Sequence, residues 1–187
     1  MKPLAAGQTR LIWPWRQRGL HAVLALAVTL ALFTHEGGAW HEAVGLLALA
    51  AVAARALLGL LGPTNLRFKS FVRSPQDTLR YAQLWRRGRE PRYVNHNPLG
   101  AWMVLLLLVL AAAAAGSGWL YTTDAYWGMA WVIALHATLA WALVPMVALH
   151  LFGVWHAGRR HHENLAAAMW HGRKRVDRSI QRRDDLA

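Results

Sequence analysis

Residues 129–158 read MAWVIALHATLAWALVPMVALHLFGVWHAG and contain no Asp, Glu, Lys or Arg. The charge-free stretch begins at Ala125, with its apolar core near Met129–Trp155. Roughly 20 mostly apolar residues suffice for a helix to cross a bilayer, so this stretch predicts a membrane span. His136 and His150 are the ionisable side chains inside that core.

Working outward, three further stretches have the same character. Gly19–His35 is 17 residues without a formal charge, Ala43–Gly62 is 20 with only Arg55, and Tyr93–Thr123 is charge-free around an apolar core near Leu99–Leu120. The first also has the shape of a signal peptide, a basic segment before a short apolar run. No small-x-small cleavage site follows Phe33, where the chain continues Thr34-His35-Glu36. It is therefore read as a retained helix. The expected fold is an all-α, four-helix membrane bundle in a single domain. Its helices fall at about 19–36, 40–62, 98–121 and 126–157, with a loop over 63–97 and a tail over 158–187.

The net charge of +12 first suggests nucleic acid, but its distribution says otherwise. Of 21 Lys and Arg, 20 precede the first span, lie in the second-to-third connection or lie in the tail. The other two connections carry Glu36, Glu42 and Asp124 and no basic residue. By the positive-inside rule both termini are cytoplasmic. Trp40, Trp119, Tyr121, Tyr126, Trp127 and Trp131 gather where an outer aromatic belt belongs. The inner basic face has anionic lipid as its partner, and nucleic acid is not expected. In the loop, Ser74-Pro75 supplies a cap and first-turn pair for a short helix to about Arg87. Leu79, Ala82 and Trp85 share its apolar side, so it reads as a helix lying on the membrane surface.

There is no Cys, which removes disulfides, thiolate nucleophiles, Cys-ligated zinc, iron–sulfur clusters and covalent c-type haem. An ionisable residue inside a span is a functional hypothesis by default. Of ten His, four match in depth as two pairs: His41 with His136 toward the outer face, and His21 with His150 toward the inner face. Fourteen residues separate His136 from His150, about 40° short of four helical turns and about 21 Å of rise. Both imidazoles thus point to one helix face. Two planar bis-His cofactors stacked across the bilayer want this geometry, and haem b is the natural candidate because axial ligands alone hold it.

Gly45, Gly153 and Ala140 lie within one turn of these His. They give either clearance for a porphyrin or small-residue helix packing. Arg55, fourteen residues after His41, faces the same side one cofactor-depth inward. A propionate or a quinone carbonyl would satisfy it; the alternative is snorkelling to the inner headgroups. His35 and His156 read as interfacial residues or alternative ligands, and His161, His162 and His171 as part of a solvated or lipid-contacting tail. His96, in Asn95-His96-Asn97-Pro98, caps the third span or lines an inner site.

Together these residues resemble the prokaryotic cytochrome b561 family, the four-helix dihaem group that includes the cytochrome b subunits of nickel–iron hydrogenases. The likeness is carried by His21 after Trp13-Pro14 and by Trp40-His41-Glu42-Ala43-Val44-Gly45 leading to Arg55 through Gly62-Pro63. It continues in His96-Asn97-Pro98-Leu99-Gly100, His136, His150-Leu151-Phe152-Gly153, and the tail from His162-Glu163-Asn164-Leu165 to Arg175. It covers about residues 11–175, and departs from the usual pattern where Ala22 rather than a large residue follows His21.

The resemblance implies haem ligation by His21, His41, His136 and His150, and electron exchange between membrane quinone and a redox partner. That partner is a periplasmic or membrane-bound protein, c-type-cytochrome-like or hydrogenase-like, and homodimerisation is left open. Two other classes compete. A stand-alone superoxide:quinone oxidoreductase acting at the outer haem would want cationic residues to attract an anion, and the outer loops are acidic. A His-lined metal or proton pathway would want carboxylates within the spans, and there are none in the helix interiors.

Overall fold

The computed structural model describes residues 8–176. A short strand, β1 (Gln8–Leu11), leads into α1 (Trp15–Phe33) and α2 (Ala39–Leu61). Two single-turn 3₁₀ helices, Thr64–Leu66 and Phe68–Ser70, and α3 (Pro75–Arg86) form the long connection. Then come α4 (Pro98–Tyr121), α5 (Ala130–Arg160), α6 (Leu165–His171) and a closing strand, β2 (Arg173–Val176). Among these, α2, α4 and α5 are long and apolar enough to cross a membrane, with mean hydropathies of 2.2, 2.3 and 2.0. Helix α1 packs along α2, and its first turn carries Arg16 and Arg18, which dilute its hydropathy.

Element ends follow local chemistry. Helix α1 stops at Phe33, short of the expected 36, because the Thr34 hydroxyl donates to the Leu30 carbonyl at 2.8 Å and Gly37 and Gly38 both adopt positive φ. Helix α5 starts at Ala130 rather than 126. Tyr126 and Trp127 close a turn on the Thr123 carbonyl, and Gly128, at φ +74°, takes a left-handed conformation that ends it. Ser74 caps α3 by accepting from the Asp77 amide at 3.1 Å. At α4 the cap is Asn97, accepting from the Gly100 amide at 2.7 Å, so His96 is free of that duty.

Val52, Ala111, Ala114 and Leu143 form the buried centre, with Leu24, Val28, Leu107 and Leu139 packed against it. Every long helix contributes. Leu143 lies midway between His136 and His150, about 10 Å of rise from each, so the apolar core fills the bundle between the two histidine levels. The outside stays apolar: Leu57, Leu60, Val109, Trp141 and Leu151 are each more than half exposed. A greasy exterior around a thin core suits lipid rather than water.

The end of the bundle that carries the termini departs from expectation. Within the described part of the expected basic tail, β2 pairs antiparallel with β1, Arg10 opposite Lys174 and Leu11 opposite Arg173. The architecture is therefore helical with one small two-stranded sheet. The Gly172 carbonyl accepts from the Ile12 and Trp13 amides. Lys174 is buried over the Trp13 ring, 5.3 Å from its centroid, and donates to the Val94 carbonyl at 3.0 Å. Glu163 pairs with Arg92 and Lys174. Arg160 bridges to Glu90 and to the Gly88 carbonyl. Burial alone would raise the Glu90 carboxyl, but the Arg160 hydrogen bond and charge outweigh it and hold the group below its usual range. Lys2, Arg178, Arg182 and Arg183 of the expected basic face lie outside the described residues.

Candidate functional site

Two pairs of imidazoles meet between helices. His41 of α2 and His136 of α5 have ring centroids 5.8 Å apart at 89°. His21 of α1 and His150 of α5 stand 6.5 Å apart at 48°. These are the partners that depth and helical phase select. Two imidazoles bound to one metal at about 2.0–2.1 Å each have centroids about 6 Å apart. Both pairs are thus spaced so that each could hold one iron between its rings, and two imidazoles are a donor set that would fit haem b.

The far pair is held by backbone. His41 Nδ1 lies 3.2 Å from the Ala31 carbonyl and His136 Nδ1 lies 2.9 Å from the Ala114 carbonyl. A carbonyl can only accept, so Nδ1 carries the proton in each ring and Nε2 keeps its lone pair for a metal. The hydroxyls of Thr34 and Ser117 stand 3.4 Å from the same atoms. Gly118 makes room for the His136 ring: a Cβ there would sit 2.9 Å from Cε1. Sequence reasoning missed Ala31, Ala114 and Gly118. The first two act through main-chain oxygens, and the third differs from other helical glycines only by its neighbour across the interface.

At Gly45 and Gly153 a Cβ would meet nothing within 4 Å. Packing against another helix therefore does not account for these glycines. Gly59 is different, since a Cβ there would run into the Phe68 ring. Phe68 folds back from the 3₁₀ turn onto α2 and covers Arg55, whose guanidinium carbon lies 4.8 Å from its ring centroid. Arg55 is only 8% exposed, and among the described residues neither of its terminal nitrogens has a hydrogen-bond partner. A snorkelling Arg would reach water; this one is a permanent, buried charge whose two terminal nitrogens find no acceptor among the described residues.

His96 sits at the same end. Its ring packs on Phe71, centroids 4.7 Å apart, and near Trp13 at 6.1 Å, and Trp13 Nε1 donates to Asn95 Oδ1 at 3.4 Å. Burial first, then the Lys174 and Arg55 charges and the His150 and His21 rings, push His96 down to about 3. It is neutral at any physiological pH. His156 packs against Trp85 of α3 and Phe152, and His35 Nδ1 bonds the Leu32 carbonyl at 3.2 Å. Among the described residues no three His, Asp or Glu converge as ligands of a free ion; the pairs stand as pairs.

An apolar helical bundle with stacked imidazole pairs between its helices defines the class of a membrane-bound b-type cytochrome. A model of that class, the prokaryotic cytochrome b561 family, matches residues 12–172, and the chain belongs to this family. Membership makes it a haem b membrane protein of electron transfer. No curated protein and no solved structure matches the chain.

Proposed function

We propose that the chain crosses the bacterial inner membrane four times with both termini in the cytoplasm. In this reading it holds two haem b groups and carries electrons between the quinone pool and a redox partner on the periplasmic side. The inner haem lies between His21 and His150, the outer between His41 and His136. The observation that carries this reading is the coincidence of two imidazole pairs, each at axial-ligand spacing, on one face of α5. When bound, haem supplies a one-electron iron couple at each level. The protein's part is to present neutral Nε2 atoms, to separate the two sites by the Val52–Leu143 core, and to exclude water.

Gly45 and Gly153 leave clearance for the macrocycles beside their ligands. Arg55 offers its two unpartnered nitrogens to an oxygen acceptor at the inner level, a propionate or a quinone carbonyl. The basic residues outside the membrane fit anionic lipid. On the outer side Glu36, Glu42 and Asp124 suit a cationic patch on a protein partner better than a small anion, which disfavours a stand-alone superoxide oxidase.

Reduced protein in lipid nanodiscs, mixed rapidly with a soluble quinone, tests the direction of the conduit. In His136→Ala the remaining inner haem should still be reoxidised by quinone. In His150→Ala the remaining outer haem should react with quinone far more slowly. Equal quinone reactivity in the two variants would remove the inner quinone site.

A further inference from the structure

At the terminus-bearing end a half-open cleft of about 390 Å³ is lined by Asn65, Ser70, Phe71, Tyr93, Asn95 and His96, with Arg10 and Arg73 beside them. It is large enough for about ten waters, and its amide and hydroxyl groups are the kind that order them. The cleft reaches His96. That ring is only partly exposed, and its Nδ1 is buried with no hydrogen-bond partner among the described residues. On the bundle side Phe71, packed on His96, lies 6.0 Å from Phe68, whose ring covers Arg55 at the inner level. A cleft of mixed polar and apolar lining on one side and the Phe71–Phe68–Arg55 contacts on the other place this imidazole between solvent and the inner level.

We infer that His96 is the proton inlet for quinone reduction at the inner site, passing protons from the water-filled cleft to the quinone oxygens. The inference rests on the inner quinone site proposed above. Reducing a quinone to a quinol takes two electrons and two protons. Haem held by His21 and His150 would supply the electrons one at a time, and the cleft the protons. For each proton, one ring nitrogen of His96 gives its hydrogen to the quinone oxygen while the other takes one from a cleft water, and a half-turn of the ring restores the starting tautomer before the next. That water's charge is neutralised by exchange with bulk solvent. A ring that stays neutral does this by switching tautomer and stores no charge beside Arg55 and Lys174. Trp13, Phe71 and the β1–β2 ladder, which fixes Lys174 against Val94, are positioning groups for the ring. This assigns the clasp between the chain termini a part in the reaction.

The test uses full-length protein with both haems, in nanodiscs, as wild type, His96→Ala and His96→Phe. Phe keeps the packing against Trp13 and Phe71 and removes both nitrogens; Ala leaves space for added imidazole. Each is reduced and then oxidised with ferricyanide, which takes an electron and no proton, or with a soluble quinone, which needs both. The expected result is unchanged haem content and ferricyanide rate in all three, and quinone reduction slowed on the order of 100-fold in both variants. Free imidazole should restore much of the rate in His96→Ala only. Unchanged quinone reduction would overturn the inference, as would equal slowing with both oxidants. So would a slowed reaction that imidazole cannot restore and that a higher quinone concentration does, since His96 would then be a binding residue. If wild-type protein oxidises its haems with ferricyanide but not with quinone, the inner quinone site itself is wrong and the inlet falls with it. That outcome is distinct from every one involving the variants.

Discussion

His41 and His136 lean on helix backbone, each Nδ1 bonded to a main-chain carbonyl, Ala31 and Ala114. No hydrogen bond to the ring of His21 or His150 is found among the described residues. Their level instead has Arg55, whose two terminal nitrogens find no acceptor among the described residues, with the neutral His96 ring and the Lys174 charge behind it. The far pair is oriented by bonds that no side-chain substitution removes, so its tautomer is set before any cofactor arrives. The near pair is adjustable, and its properties depend on side chains and on the fold of the chain ends. In an electron conduit this division is useful. On the proposed function, the far pair would serve as a fixed relay and the near pair as the level tuned to the substrate that exchanges protons.

The largest expected effects break one pair and spare the other. His41→Ala or His136→Ala should remove the outer haem and leave one haem per chain; His21→Ala or His150→Ala should remove the inner one. Pyridine haemochrome quantification with redox titration identifies which remains, and loss of both from a single substitution would show that the levels are not independent.

Next come the glycines. Gly118→Ala should push the His136 ring out of place and weaken outer haem retention by about 10–100-fold, the range for disturbed ligand orientation, while the inner haem stays. Gly45→Ala and Gly153→Ala meet no protein atom within 4 Å, so any haem loss they cause reports on the macrocycle alone. Full retention in both would end the clearance reading.

A smaller effect separates the pairs by charge. At an effective dielectric near 20, a unit charge about 8–16 Å away is worth about 1–2 kcal/mol, or roughly 40–90 mV. Arg55→Leu should lower the inner midpoint potential by that order and leave the outer one in place, with Arg55→Lys intermediate. A shift confined to quinone affinity, with both potentials unchanged, would assign Arg55 to the quinone carbonyl.

The mildest effect is on acid stability at the terminus-bearing end. His96 titrates at about 3 in the fold against 6.5 ordinarily. Its contribution is complete above 6.5 and is lost as pH falls from there toward 3, because the unfolded chain takes up a proton that the folded one refuses. Glu90, depressed by Arg160, acts in the same direction at lower pH. Melting temperature should fall between pH 7 and pH 4, less steeply in His96→Phe. An equal slope in that variant would mean that another group governs the loss.

The three long apolar helices α2, α4 and α5, the meeting of the histidines in pairs and the burial of Arg55 were legible in the sequence because each depends on spacing within one helix or on depth in a bilayer. Fourteen residues between His136 and His150 fix both phase and rise wherever the helix sits. The terminal clasp was not legible. Lys174 finds Val94, and Trp13 finds Asn95, across about 80 residues of chain, and four-residue strands rich in Arg carry no periodicity that marks them as paired. Phe68 over Arg55 was hidden for the same reason, although Gly59 opposite it was a visible trace. His96 was left between two roles, and only the Asn97 cap separates them.

The most direct test of the whole account is the haem count of the purified wild-type chain, by pyridine haemochrome against quantified protein, together with low-temperature electron paramagnetic resonance. Two haem b per chain, both low-spin, is the predicted result. One haem, none, or a high-spin signal from either site in freshly prepared protein would contradict two bis-histidine levels.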